Sequence, residues 1–189
     1  MTPVVHVVDD EQIARNLEII IGEGAQGVFL INHDFGVDEF LPLIRKARDR
    51  FPNLWIGLNF LAVTGLNAFP VLGQLQSEGC PIDGYWADDA RIDERRSPSD
   101  QEEAETITAA RQSSGWQGLY MGGTCFKKQR EVPPDLYGLS ASIAVDHMDV
   151  VTTSGIATGH EADSSKIEIF RKAIGDKPMA LASGITPEN

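Results

Sequence analysis

Hydrophobic and polar positions follow two different periods along this chain. Short apolar runs rich in β-branched residues, typical of buried strands, alternate with longer stretches in which apolar side chains recur every three or four residues, as in helices. The strand-like runs cover residues 3–9, 27–33, 54–61, 82–89, 118–126, 149–155 and 178–184. This unbroken alternation predicts seven strands in parallel β/α units, and therefore an α/β fold.

Six helices are predicted between these strands. In the second, Phe40 and Ile44 belong to an apolar stripe whose opposite face is charged. Asp10 and Ser99 are predicted to cap the first and fourth helices, because a side-chain oxygen at that position accepts a free backbone N–H. The third, fifth and sixth helices are predicted at residues 66–78, 134–144 and 164–174.

Two architectures fit this order of elements: a doubly wound open sheet and a (β/α)8 barrel of the TIM type. A dinucleotide-binding open sheet usually carries G-x-G-x-x-G after its first strand, whereas this chain reads VVDDEQIA there. The barrel is therefore favoured, with seven of its strands present. We expect residues 1–189 to form one barrel domain that is truncated at its C-terminal end.

Composition narrows the choice of partners. The chain has 189 residues with a formal net charge of -12, so nucleic acid and anionic membrane surfaces are poor partners. Its apolar runs are too short to cross a membrane, and its N-terminus does not resemble a secretion signal. Cys80 and Cys125 form no cluster, which suits a reducing cytoplasm. We therefore expect a cytoplasmic protein.

Polar residues recur where the predicted strands end, which is where parallel α/β folds bind ligands. Asn59 lies inside an apolar strand, so its amide contacts a ligand or makes a structural hydrogen bond. Of Asp88 and Asp89, one can face the barrel axis. Asp89 is predicted to transfer a proton or activate a carbonyl, and the alternative is an acid that binds a hydroxyl or a divalent cation. Lys127, at the end of the fifth strand, could activate a carbonyl or bind phosphate, although adjacent Lys128 also suits a solvated loop.

The histidines of the sequence do not indicate a metal site. His6 and His33 each stand alone in the sequence, with no second ligand at metal spacing. No metal and no cofactor is predicted.

Two glycine turns are a more specific indication of a ligand site than the single polar residues. In SGIATG, Gly155 and Gly159 permit close backbone approach to a ligand, and Ser154 and Thr158 offer hydroxyls. In the second turn, SGITPEN, the equivalent residues are Ser183 and Gly184, followed by Thr186 as a helix cap. The two turns together predict a phosphate site, and the alternative is a pair of tight turns before ordinary capped helices.

The segments DVVTTSGIATG and PMALASGITPEN resemble the BtpA-like family of (β/α)8 barrels, named for a protein needed for photosystem I biogenesis. IGLNFL, IDGYWADDA and GTCFKK resemble its third, fourth and fifth strand motifs. The chain departs from the family at HVVDDEQIA, where a proline-rich loop is usual, and at its end, since family barrels continue past T-P-E-N. The resemblance implies that an eighth β/α unit is missing, together with half of an anion site.

Two functions follow. The first is an enzyme that binds a phosphorylated sugar or nucleotide-like metabolite at the carboxyl ends of the strands. Its reaction would be that of an isomerase, a lyase or an aldolase. The second is a non-enzymatic assembly or regulatory factor that binds a protein or senses a metabolite. In either case, a barrel without its eighth unit is expected to be open, oligomeric or poorly stable, because two strand edges stay unpaired.

Overall fold

The alternating pattern is realised as a parallel α/β structure. A computed structural model describes residues 1–127 and 129–185. The strands are β1 (Val4–Val7), β2 (Gly27–Asn32), β3 (Trp55–Phe60), β4 (Gly84–Ala87), β5 (Leu119–Gly123), β6 (Val150–Ser154) and β7 (Met179–Ala182). The helices are α1 (Asp10–Gly22), α2 (Val37–Arg50), α3 (Gly65–Ser77), α4 (Glu102–Ser114), α5 (Tyr137–Ala144) and α6 (Ser164–Ile174), with a 3-10 turn at Pro134–Leu136. All seven predicted strands are confirmed.

The seven strands form one parallel sheet in sequential order, from β1 to β7. A doubly wound sheet reverses its strand order at a switch point, and no reversal occurs here. The open doubly wound alternative is therefore wrong. Within the described residues, β1 and β7 are the outer strands and do not pair with each other.

The main core lies on one face of this sheet. Parallel register partners point to the same side, so the buried residues of successive strands form continuous rows. The row that packs against the helices is Val5, Leu30, Leu58, Tyr85 and Tyr120, and Val151 of β6 belongs to the same core. Phe69 of α3 and Phe170 of α6 are fully buried in the same core. Helices packed on one face and strands in sequential order suit a curled, barrel-like sheet.

On the opposite face, called here the inner face, aromatic rings pack over glycines of the neighbouring strands. The ring of Phe29 covers Gly57, where an added Cβ would collide with it. Trp55 covers Gly84 in the same way, its ring lying 2.6 Å from the position of a Cβ there. Glycine is therefore required at these strand positions for packing rather than for backbone freedom.

The amino-terminal edge of the sheet is held by two similar aspartates. Asp83, before β4, accepts hydrogen bonds from the guanidinium of Arg48 at 2.5 Å and from the backbone of Ile56 in β3 at 2.8 Å. Asp149, before β6, is bonded by Arg111 at 2.5 Å and by the backbone of Tyr120 in β5 at 2.7 Å. These ion pairs lie at the edge opposite the strand carboxyl ends, so their role is to hold neighbouring units together.

Both predicted caps are wrong. Asp9, with extended backbone, caps α1 by accepting from the N–H of Gln12 at 2.7 Å, and Asp10 is already helical and pairs with Lys46. α4 begins only at Glu102, after Gln101, so Ser99 lies in the preceding loop. Thr186, the cap predicted for a further helix, lies outside the described residues.

Candidate functional site

A cavity of about 740 Å³ opens at the carboxyl ends of β5 and β6. Its walls come from the segment after β5 and the segment after β6, together with the first turn of α6. We call it the lysine cavity, because Lys127 and Lys166 both line it. Its volume is in the range of sites that bind small metabolites, and its position is where parallel α/β folds bind their ligands.

Lys166 is the most unusual residue of this cavity. Although it lies in the first turn of α6, its side chain is only 8% exposed. Its Nζ donates to the carbonyl oxygen of Cys125 at 2.5 Å and to that of Ser154 at 2.8 Å. The rings of Tyr137 and Phe170 pack beside the amine, at 5.1 and 5.9 Å from Nζ to the ring centroids. The amine is thus fixed at the ends of both strands.

The amine of Lys166 has no acidic partner in the described part of the chain, since no carboxylate oxygen lies within 4.0 Å of Nζ. Burial lowers the pKa of Lys166 from its usual value, and the nearby thiol of Cys125 opposes this shift. A buried lysine without a counter-ion favours its neutral form. A lowered pKa of this kind, at a residue that lines a cavity, is typical of groups that take part in proton transfer.

Three of the predicted site residues lie around this cavity. Ser154 is fully buried, and its hydroxyl accepts the backbone N–H of Lys127 at 2.9 Å and donates to the carbonyl of Gly155 at 2.8 Å. Lys127 is not at the end of β5, as predicted, but four residues beyond it. The strand ends early because Cys125 has a left-handed backbone (φ 48°), which no strand can accommodate.

The two glycine turns lie under the loop that follows β6. An added Cβ on Gly155 or on Gly184 would collide with the backbone of His160 and Glu161, which crosses both turns. Ser183 accepts the N–H of Gly159 at 2.8 Å, so the loop is bonded to the second turn. The close backbone approach that these glycines permit is therefore used by the chain itself. The predicted phosphate role of these residues, and of exposed Thr158, stays a prediction.

Asn59 and Asp88 form a second group on the inner face. The side-chain nitrogen of Asn59 donates to the carbonyl of Trp86 at 3.0 Å and to Asp88 at 3.2 Å. Asn59 is 1% exposed, and its side-chain oxygen has no hydrogen-bond partner among the described residues. Asp88 is therefore the member of the aspartate pair that turns toward the inner face.

Asp89 turns the other way, toward a smaller cavity of about 250 Å³. Its carboxylate pairs with Arg91 at 3.3 Å and accepts a long hydrogen bond from Gln129 at 3.3 Å. Gln129 also donates to the carbonyls of Asp88 at 2.5 Å and Gly123 at 2.9 Å, and so joins the ends of β4 and β5. The structure thus places Asp89, Asn59 and Lys127 in three different surroundings, and their catalytic roles stay predictions.

Two histidines that stand alone in the sequence are neighbours in the structure. The rings of His6, in β1, and His33, after β2, stack with centroids 4.4 Å apart. Burial and the neighbouring ring of His33 lower the pKa of His6, and Asp34 partly opposes them. Across residues 1–127 and 129–185, no group of three or more histidine, cysteine, aspartate or glutamate side chains could hold a metal ion.

Lys166 is the residue that reasoning from the sequence missed. It falls in the predicted sixth helix, where lysines normally face solvent. A signal was available, since Lys166, Phe170 and Ile174 are spaced by four residues and all three are buried on the same face of α6. A lysine within an apolar stripe is a reason to expect a buried amine.

Comparisons with known proteins show the fold and little beyond it. No protein-family model matches the chain, and no curated protein matches it. Among solved structures, a mandelate racemase/muconate lactonizing protein from Herpetosiphon aurantiacus has a TM-score of 0.59 at 11% identity, over 97% of this chain and 46% of that one. The L-Ala-D/L-Glu epimerase from Bacillus subtilis has a TM-score of 0.60 at 13% identity, over 96% and 45%.

A third similar structure, the 3,6-anhydro-D-galactonate cycloisomerase from Zobellia galactanivorans, has a TM-score of 0.61 at 12% identity, over 96% of this chain and 46% of that chain. This chain therefore spans less than half the length of the proteins it resembles. The expected membership of the BtpA-like family is wrong, since no family model supports it and the similar structures are racemase-like and epimerase proteins.

No helix within residues 1–127 and 129–185 is both long enough and apolar enough to cross a membrane.

Proposed function

We propose that this chain belongs to an enzyme of the (β/α)8-barrel type that moves a proton within a small anionic metabolite. The observation that carries the proposal is the buried amine of Lys166 in the wall of the lysine cavity, with no carboxylate partner among residues 1–127 and 129–185. A structural lysine usually reaches solvent or an acid, whereas a proton-transfer group needs a lowered pKa and access to a ligand. Lys166 has both of these properties.

The lysine cavity also offers positive side chains to an anion, although Glu131, Glu161 and Asp163 line it as well. Lys127 contributes a second positive side chain to its wall, and it lies next to Ser154, the residue predicted for phosphate binding. A carboxylate or phosphate group of a ligand could pair with the positive side chain of Lys127. We therefore propose that the substrate carries such a group and that Lys127 helps to bind it.

A phosphorylated substrate sets one further requirement. The loop of His160 and Glu161 covers Gly155 and Gly184, so a phosphate could reach both glycines only after that loop moved. A carboxylate or phosphate bound beside Lys127 and Lys166 needs no such movement. We therefore propose that the anionic group of the substrate binds beside Lys127 and Lys166.

The likeness to racemase-like and epimerase structures adds a reaction class to test. The structures are named as a mandelate racemase/muconate lactonizing protein, an epimerase and a cycloisomerase. At these identities the likeness concerns the fold, so the reaction is transferred here as a proposal. Racemisation and epimerisation both require a group that removes a proton from carbon, which a neutral lysine can do.

Proton exchange with heavy water tests this function directly. The protein is incubated in D2O with a panel of sugar phosphates, hydroxy acids and dipeptides, and loss of each C–H signal is followed by NMR. We expect exchange on at least one compound, and its loss in Lys166→Met. Lys172→Met is the matched control, because Lys172 is exposed on the same helix and should leave exchange unchanged.

Binding is measured beside exchange, by titrating inorganic phosphate and the same panel against ¹⁵N-labelled protein. Shifts of backbone signals around Lys127, Ser154 and Lys166 support the site. The proposal is wrong if no compound shifts these signals and none exchanges its protons.

A further inference from the structure

We propose that Lys166 bonds covalently to its ligand, forming an imine with an aldehyde or ketone carbonyl. This inference rests on the proposed function, because it assumes that the lysine cavity binds a small anionic metabolite. It adds the chemical class of that metabolite, which must carry a carbonyl group as well as its negative charge. Three observations support it: the hydrogen bonds of the amine, its surroundings, and its place in the cavity.

The hydrogen bonds of Lys166 fit a neutral amine. A neutral amine has two N–H groups and one lone pair, whereas an ammonium group has three N–H groups. Nζ donates to two carbonyl oxygens, those of Cys125 and Ser154, and no third acceptor lies within hydrogen-bond distance among the described residues. Both N–H groups of a neutral amine would therefore find a backbone acceptor.

The burial of the amine also favours the uncharged state. Exposed Lys46 pairs with the carboxylate of Asp10 at 3.0 Å, whereas Lys166 has no carboxylate partner among the described residues and is nearly excluded from water. The faces of the Tyr137 and Phe170 rings beside Nζ attract its charged form and act against this burial. Its pKa is lowered by this burial. An amine is nucleophilic only when neutral, so these surroundings raise the reactive fraction of Lys166.

The position of the amine brings it to a ligand. Lys166 lines the lysine cavity, and the two carbonyls that hold it belong to the ends of β5 and β6. A side chain fixed on both sides by strand ends has little freedom, so a carbonyl compound in the cavity would meet the amine in a defined direction. A purely structural tie between the two strands would not need to line a cavity.

The step balances without an oxidant or a metal. The nitrogen lone pair forms a bond to the carbonyl carbon, whose π electrons move to oxygen. Both hydrogens of the amine leave with that oxygen as water, and a C=N bond forms. Protonation of the imine gives an iminium that retains one N–H for one of the two backbone carbonyls, and the iminium withdraws electrons from the neighbouring C–H. This increases the acidity of the proton that the proposed isomerisation must move.

Reductive trapping tests the inference. The complete chain is incubated at neutral pH with glyoxylate, a small anion with an aldehyde, and with cyanoborohydride, which reduces an imine to a stable secondary amine. Peptide mass spectrometry then measures carboxymethylation at each lysine. We expect Lys166 to be labelled about tenfold faster than exposed Lys172 and Lys177, because its neutral fraction is larger.

Two controls separate chemistry from access. Lys166→Arg keeps a cationic, hydrogen-bonding side chain that cannot form an imine, so labelling at this position should disappear while phosphate still shifts the cavity signals. In the wild type, the ratio of labelling at Lys166 to that at Lys172 should fall as the pH is raised toward 10, because the exposed lysine then also becomes neutral.

Labelling of Lys166 no faster than that of Lys172 and Lys177 would overturn the inference. If cavity binding and proton exchange persist in that case, the proposed function stands and Lys166 acts without covalent chemistry. If both are absent, the proposed function fails as well.

Discussion

At the residue scale, Lys166 shows how burial changes the chemistry of an ordinary side chain. In the first turn of a surface helix a lysine would be solvated and fully charged. Here it shares an apolar face with Phe170 and reaches the carbonyls of Cys125 and Ser154. The free energy of placing a positive charge there, without an acid, lowers the pKa of the amine. That cost should be measurable as a dependence of stability on pH.

We expect the wild type to gain stability over Lys166→Met as the pH rises toward 10.5, the usual pKa of lysine. Below the lowered pKa of the folded state, both states bind the proton and the folded state bears the full cost of burying the charge. Between that pKa and 10.5, the folded state releases its proton first, so its free energy of unfolding increases with pH. Urea unfolding at several pH values measures the difference.

Lys172→Met is the control for this experiment, since Lys172 is exposed and its removal should leave the pH dependence of the wild type unchanged. Parallel curves for the wild type and Lys166→Met would show that the amine of Lys166 is not perturbed in the folded protein.

At the scale of elements, the carboxyl ends of the strands depend on loops that hold one another. Arg130, in the segment after β5, makes two 2.7 Å hydrogen bonds to Glu94, in the segment after β4. The side chain of Glu94 is completely buried, and the bonds from Arg130 lower the pKa of its carboxyl group. Arg130 lies between the lysine cavity and the smaller cavity and lines both. The pair therefore supports the walls of both.

Arg130→Met should destabilise the protein by about 2 kcal/mol, because it leaves the carboxylate of Glu94 buried without a partner. The expected loss is smaller than for a fully buried pair, since the side chain of Arg130 is 39% exposed. Chemical unfolding measures the free energy, and hydrogen exchange should show faster exchange in residues 88–101.

Arg95→Met provides the matched comparison, because Arg95 pairs with Asp93 nearby but is 63% exposed. Its effect should be much smaller than that of Arg130→Met, as for other exposed ion pairs. Equal losses in the two variants would show that the Arg130 pair contributes no more than a surface contact.

At the scale of the whole molecule, the sequential order of seven parallel strands leaves β1 and β7 as outer strands among the described residues. An outer strand offers backbone N–H and C=O groups to another chain. Val4 in β1 is 43% exposed, and it lies in the inner-face row with Phe29. The sequence led us to expect a chain that is open, oligomeric or poorly stable, and the exposed outer strand makes the oligomeric alternative the one to test; it stays a prediction.

Sedimentation velocity over a range of concentrations should therefore show self-association of the chain. Val4→Lys should weaken it, because a charge on an outer strand opposes pairing with another apolar edge. Ile19→Lys is the control, since Ile19 is an exposed apolar residue of α1, away from the strand edges, and should have no effect. A monomer at every concentration tested would contradict the prediction.

The sequence by itself determined the elements and their order. A strand that is buried on both faces is a short continuous apolar run, and a helix repeats its apolar residues every three to four positions, so residues 54–61 already carry the signal of their own secondary structure. The exact ends were less predictable. Asp9 rather than Asp10 caps α1, and β5 ends at Gly123 before the left-handed Cys125, because such ends depend on single backbone angles.

The tertiary structure alone decided which side chains meet. His6 and His33 are far apart in the chain and stack, whereas adjacent Asp88 and Asp89 point into different surroundings. The glycine turns were visible in the sequence, but the backbone that crosses them was not, because the path of a loop depends on contacts between distant residues. The same is true of Lys166: its charge is a property of the sequence, and its burial between the ends of β5 and β6 is a property of the fold.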